Sequence, residues 1–174
     1  PSYGHGSGVQ GGFPITREHM NSIMNPSVVD ELRNMYYSNT KPTPISCDVA
    51  VHIRRGDIAQ KSQNGVYRSD RCLPLDVYIK KIEELQSNLN KRLKIIIFSE
   101  GKTEDFEELF TIQNVDIELH LNEDLCITFH SMVKAPILVL SMSMLSIAAG
   151  ILNENEVHYR NWNAFAPLSR WNVY

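Results

Sequence analysis

Residues 45–174 predict an α/β domain built on a doubly wound, mainly parallel sheet of about five strands. Three observations lead there. Short apolar runs at 47–54, 93–98, 115–119 and 137–140 are too brief for helices. Segments with apolar residues at helical spacing separate them, and each run ends in polar or small residues. Strands alternating with helices in this way form a parallel sheet covered on both faces, with any ligand crevice outside the carboxyl ends of the strands.

The first 44 residues read as an arm, a helix and a linker ahead of that domain. Gly4, Gly6, Gly8, Gly11 and Gly12 are five of the chain's nine glycines, a composition that favours irregular structure. They do not make a phosphate loop: no strand precedes them, no Lys-Ser/Thr follows, and Pro14 blocks entry into a helix. Asn25-Pro26 then signals a helix start, with Asn as cap and Pro at the first helical position. Val28, Val29, Leu32, Met35 and Tyr36 follow at helical spacing, a face expected to pack on the sheet. Lys41-Pro42-Thr43-Pro44 breaks the chain before the first strand, 47–54.

Pro74 opens the next helix, with Leu75, Tyr78, Ile79, Ile82, Leu85 and Leu89 on one face and Lys80, Lys81, Glu83 and Glu84 expected outward. The run 93–98, apolar but for Lys94, is a strand buried on both faces. An acidic helix is expected from Thr103 through Phe110, a third strand over 115–119, and a helix over 124–134. A fourth strand over 137–140 leads into a small-residue helix over 143–152, and 157–159 is expected to be the last strand. Trp162 and Trp171, in a tail with Pro167, read as cover for the sheet edge.

Composition narrows the function. With 174 residues the chain suits one compact domain. Seventeen Lys and Arg against 20 Asp and Glu leave a net charge of −3, so no overall basic surface attracts nucleic acid. Cys47, Cys72 and Cys126 lack the CxxC or Cys/His spacing of a zinc site and do not suggest a disulfide scaffold. The apolar segment 136–152 is interrupted by Ser141, Ser143 and Ser146, and no membrane segment is expected. The chain begins at Pro1 with nothing like a signal peptide, so a processed chain or a piece of a longer protein is expected.

The strand ends carry the chemistry. The first strand runs into Arg54, Arg55, Gly56 and Asp57, the second into Ser99, Glu100 and Gly101, the third into His120, Leu121 and Asn122, and the fourth into Ser141 to Ser146. Guanidinium groups suit phosphate because each offers a rigid fork of donors and never loses its proton. A helix opening directly after the Ser141–Ser146 turn would present backbone N–H groups and hydroxyls to the same anion. The bland alternatives are a solvated basic turn and a helix cap at Ser143. His120 and His130 read as histidines held by their neighbours. Asp57, Asp70 and Glu100 are the carboxylates in loops where a general base could stand, each with a structural role available as well.

The motif His52-Ile53-Arg54-Arg55-Gly56-Asp57 resembles the first signature of the α1,2/α1,6/O-fucosyltransferase superfamily, whose members use GDP-fucose on a GT-B fold of two Rossmann-like halves. Phe98-Ser99-Glu100-Gly101 is similar to the intervening motif, and 129–150 to the last one, a helix leading to a strand, a Ser-rich turn and a small-residue helix. The likeness spans roughly residues 46–160 and keeps the family's order, so it implies a Rossmann-like, nucleotide-sugar-binding half of a GT-B enzyme.

That resemblance implies that Arg54 and Arg55 neutralise the diphosphate and stabilise the departing GDP, a gain larger in the transition state than in the ground state. It implies that His52 helps hold the guanosine end, that Asp57 fixes the arginine loop, that Ser99 and Glu100 line the donor site, and that Ser141, Ser143 and Ser146 meet phosphate from the opposite strand end. Transfer would proceed with inversion and without metal or cofactor, the donor being GDP-fucose or a related nucleotide sugar. The sequence departs from the family at Thr128, where an acidic residue usually reads the guanine edge, and at Ser143-Met144, where a Ser-Ser pair is usual. The family's Gly-x-Gly-Asn-Gln element is absent, so an acceptor-binding half, and with it the glycan or protein acceptor, is expected elsewhere. The alternative is a nucleotide-diphosphate-binding module without transferase activity. By resemblance the setting is the secretory pathway or the cytoplasm, depending on the organism.

Overall fold

A computed structural model describes residues 16–59, 71–162 and 165–174. The Gly-rich arm and Asp70 lie outside the described residues. Two N-terminal helices, α1 (Arg17–Ile23) and α2 (Pro26–Tyr37), come first. The Asn25 side chain caps α2 by accepting from the Val28 N–H at 3.2 Å, with Pro26 at its first position. Then follow β1 (Val49–His52), α3 (Leu75–Leu89), β2 (Leu93–Ser99), β3 (Val115–Leu121), α4 (Leu125–Lys134), β4 (Ile137–Val139), α5 (Met144–Leu152), β5 (Glu156–Tyr159) and β6 (Asn172–Val173).

The six strands form one sheet in the order β3-β2-β1-β4-β5-β6, and every neighbouring pair is parallel. This is the doubly wound, Rossmann-like order, and its reversal falls between β1 and β4. Alternation along β1 divides the core. Ala50 joins Ile96, Leu138, Met132 and Ile147 on the face covered by α4 and α5. Val49, Val51 and Ile53 join Ile95, Tyr78, Ile82 and Phe106 on the face covered by α3. The central strands are buried end to end except for Lys94, which faces out toward Glu118.

Four elements differ from the sequence reading. The sheet has a sixth strand, β6, two residues long and paired only with β5, too short to leave a periodic signal. The acidic segment Thr103–Thr111 forms 3-10 turns, which bury Phe106 and Leu109. Lys81, expected outward, is buried: its ammonium meets Glu84 at 2.8 Å and lies 5.0 Å from the Tyr174 ring, because the returning C-terminal tail covers that turn of α3. In α2, Val29 joins the core cluster of Ala50 and Leu138 and the helix also meets α5, but Met35, expected on the packed face, is exposed.

The tail supports α5. Trp171 is buried against Tyr159 and Phe165, and a Cβ on Gly150 would come within 3.1 Å of its ring, so glycine permits this close approach. Among the described residues, no helix is long and apolar enough to cross a membrane.

Candidate functional site

The register that builds the core also separates the two arginines. His52 ends β1 on the α5 side, and its Nδ1 lies 2.6 Å from the Ser141 hydroxyl at the end of β4. Two residues on, Arg54 directs its guanidinium to Glu100 at 2.8 Å and to Asp57. Arg55 turns away. It is 3% exposed, donates to the Arg54 carbonyl at 3.0 Å and to the Cys72 sulfur at 3.4 Å, and lies close enough to Tyr78 of α3 to influence its phenol.

Gly56 makes the turn possible for two reasons. Its φ of +64° is a left-handed conformation that side chains disfavour. A Cβ there would also stand 2.0 Å from the Glu100 carboxylate oxygen, so that carboxylate lies directly against the Gly56 backbone. Ser99 fixes the end of β2 beside it by donating to the Ile53 carbonyl at 2.7 Å.

The serine turn is wired internally. Ser146, fully buried, donates toward the carbonyls of Ser143 at 3.1 Å and Ser141 at 3.2 Å, and lies 3.3 Å from the Ser141 hydroxyl. Ser141 thus links His52 to the turn. Ser143 occupies the N-cap position of α5, but its side chain makes no capping bond, so the bland alternative of a side-chain cap there is not what the serine does. Burial, reinforced by the nearby Arg54 charge, pushes the His52 imidazole down to about 4, so the ring is neutral at neutral pH.

These strand ends border a cleft of about 420 Å³. Of the residues singled out in the sequence, His52, Arg54, Ser99, Glu100, Asn122 and Thr128 line it. Asp57 stands behind Arg54, Ser141 and Ser146 stand behind His52, and Arg55 is on the α3 side of the loop.

Glu123 enters the lining without having been singled out. Its carboxylate meets His120 Nδ1 at 3.3 Å, and the opposite ring nitrogen meets Glu118 at 2.8 Å. What places Glu123 there is Asn122, whose φ of +56° ends β3. The Asn122 side-chain amide donates to the Gly101 carbonyl at 2.9 Å and accepts from the Gly101 N–H at 3.2 Å. Positive-φ tolerance of Asn after a strand was the one sequence signal of this turn. Tyr36, remote from these strand ends in sequence, holds His130 through a 2.9 Å contact to Nδ1.

Chemically, the described residues of the cleft offer one fixed cation, a neutral imidazole, and two carboxylates, one paired with Arg54 and one beside His120. An arginine retains further N–H donors beyond those given to Glu100 and Asp57, so it can still bind an oxyanion.

No protein-family model and no curated protein matches this chain. Among solved structures, it is similar to POFUT1 in complex with GDP-fucose, at 13% identity and a TM-score of 0.44, over 85% of this chain and 46% of that one. It is similar to POFUT1 in complex with GDP at 14% identity and a TM-score of 0.45, over 84% and 47% of the respective chains. The chain spans about half the length of these solved chains.

Proposed function

We propose that the cleft binds the diphosphate of a nucleotide sugar, GDP-fucose or a related donor, and that the chain is the donor-binding half of a fucosyltransferase-like glycosyltransferase. The observation that carries this reading is the position of Arg54. Its guanidinium is held by two carboxylates at the end of β1, beside the reversal of strand order where doubly wound sheets take their ligands. The His52–Asp57 motif that resembles the superfamily's first signature supplies the donor class.

In this reading Arg54 contacts the diphosphate and stabilises negative charge on the leaving GDP as the bond to the sugar breaks. Asp57 restrains the fork, and Arg55 supports the loop from the α3 side. His52, kept neutral, contributes a hydrogen bond at the guanosine end without competing for the phosphate. Transfer is inverting and needs neither metal nor cofactor, because the arginine supplies the charge. The acceptor, a glycan or protein hydroxyl, would be bound by an acceptor half that is not part of the described fold.

A second reading, a diphosphate-binding module without transfer, is favoured by one specific observation. Among the described residues, Glu100 on the cleft wall and Asp57 beside it are both paired with Arg54, while Glu123 lies 3.3 Å from His120. Neither carboxylate on Arg54 stands free as a general base.

Thermal melts with GDP test the common part. GDP should raise the melting temperature of the wild type, and Arg54→Ala should lose that shift while keeping its circular dichroism spectrum. Millimolar GDP without effect would overturn both readings. GDP release from GDP-fucose, with and without glycan or peptide acceptors, then separates transferase from binder.

A further inference from the structure

Any anion that reaches Arg54 from the cleft meets another anion already there. Glu100 extends from the end of β2 and takes Arg54 Nη1 at 2.8 Å, with its carboxylate against the Gly56 backbone. Among the described residues, Arg54 is its only ion-pair partner, and Arg54 is the only Lys or Arg lining the cleft. The two carboxylates on Arg54 are not equivalent. Asp57 belongs to the same loop and lies outside the cleft lining, whereas Glu100 lines the cleft together with the arginine.

We infer that the Glu100 carboxylate is a displaceable stand-in for phosphate on Arg54, so that nucleotide affinity is set by two anions competing for one guanidinium. This rests on the diphosphate reading above. The Glu100 side chain is 52% exposed and Arg54 26%, so the pair is solvent-screened and cheap to separate. Once displaced, the carboxylate has no other ion-pair partner among the described residues and remains near a multiply charged diphosphate, where like charges repel. Glu100 therefore tunes the site toward weaker binding and faster release of the nucleotide product, while it keeps Arg54 aligned between turnovers.

The test is calorimetric titration of GDP, inorganic pyrophosphate and guanosine into the wild type, Glu100→Gln, Asp57→Asn and Arg54→Ala, each checked for fold by circular dichroism. Glu100→Gln keeps the shape and removes the charge. It should bind GDP and pyrophosphate about three- to tenfold more tightly at low salt, with the gain shrinking as salt rises and guanosine unaffected. Asp57→Asn should weaken both phosphate ligands, because the fork loses its restraint. Weaker or unchanged binding by Glu100→Gln would overturn the inference, weaker binding pointing to a direct Glu100 contact with the nucleotide. Equal tightening by Asp57→Asn would also overturn it, leaving net charge as the cause. If neither the wild type nor Glu100→Gln binds GDP or pyrophosphate, the diphosphate reading itself fails and this inference with it.

Discussion

The 2.6 Å contact between His52 Nδ1 and the Ser141 hydroxyl ties the end of β1 to the end of β4, across the point where the strand order reverses. Both groups are buried, so the bond is made where an unmet polar atom would be costly. The imidazole is pushed down to about 4 by burial first and by Arg54 second. The native state therefore resists a proton that the unfolded chain accepts near its ordinary value of 6.5.

That difference predicts a pH dependence with a definite sign. A depressed histidine contributes stability that is fully present above about pH 6.5 and is lost as pH falls toward 4, because the unfolded chain binds more protons across that window. Between pH 7 and pH 5, His52 should account for a loss on the order of 2 kcal/mol. Urea unfolding of the wild type and His52→Asn at both pH values measures it. The wild type should lose more than the variant, and equal losses would mean that His52 does not titrate this way.

Gly56→Ala probes the arginine turn. An alanine at φ +64° costs about 1 kcal/mol in backbone strain, and its methyl group would displace the Glu100 carboxylate. The displaced group is the mobile end of a half-exposed side chain, so the clash adds little. The expected result is a loss of about 1–2 kcal/mol in urea melts. Combining it with Glu100→Ala, which removes the group that the new methyl would meet, should not recover the strain component. A loss that vanishes in the double variant would put the whole cost in the carboxylate contact instead.

The arginine turn also shows how far the sequence can be read. The central strands were legible because burial on both faces leaves nearly unbroken apolar runs, as in Ile95, Ile96 and Ile97. The split between Arg54 and Arg55 follows from the two-residue period of β1, although adjacent arginines read first as a pair. Other features were not legible because they depend on distant chain. Lys81 is buried by Tyr174, β6 exists only through its pairing with β5, and Glu123 reaches the cleft because Asn122 is bound to Gly101. Apart from the Asn that ends β3, no local pattern encodes such contacts.

Arg54 and Arg55 should consequently fail in different ways. Arg54 is partly exposed, and its replacement by Ala should cost less than about 1 kcal/mol of stability while removing the response to GDP. Arg55 is buried between the loop and Cys72, so Arg55→Ala leaves a cavity and strips donors from the Arg54 carbonyl and the Cys72 sulfur. A loss of about 2–4 kcal/mol in urea melts is expected, with weaker GDP binding only as far as the loop loosens. Equal stability of the two variants would contradict the division of labour.

The serine turn offers the same separation between holding and binding. The Ser146 hydroxyl is fully buried and spent on the Ser141 and Ser143 carbonyls, so Ser146→Ala should cost about 1–2 kcal/mol. Ser143 gives no capping bond, and Ser143→Ala should change stability by less than about 0.5 kcal/mol. If the serine turn takes phosphate, as the family resemblance implies, Ser143 is the serine of this turn whose hydroxyl makes no bond within it among the described residues, and its loss should weaken GDP binding severalfold in a titration where guanosine is unchanged. Loss of GDP affinity in Ser146→Ala greater than in Ser143→Ala would show instead that the geometry of the turn, rather than a hydroxyl contact, governs the anion.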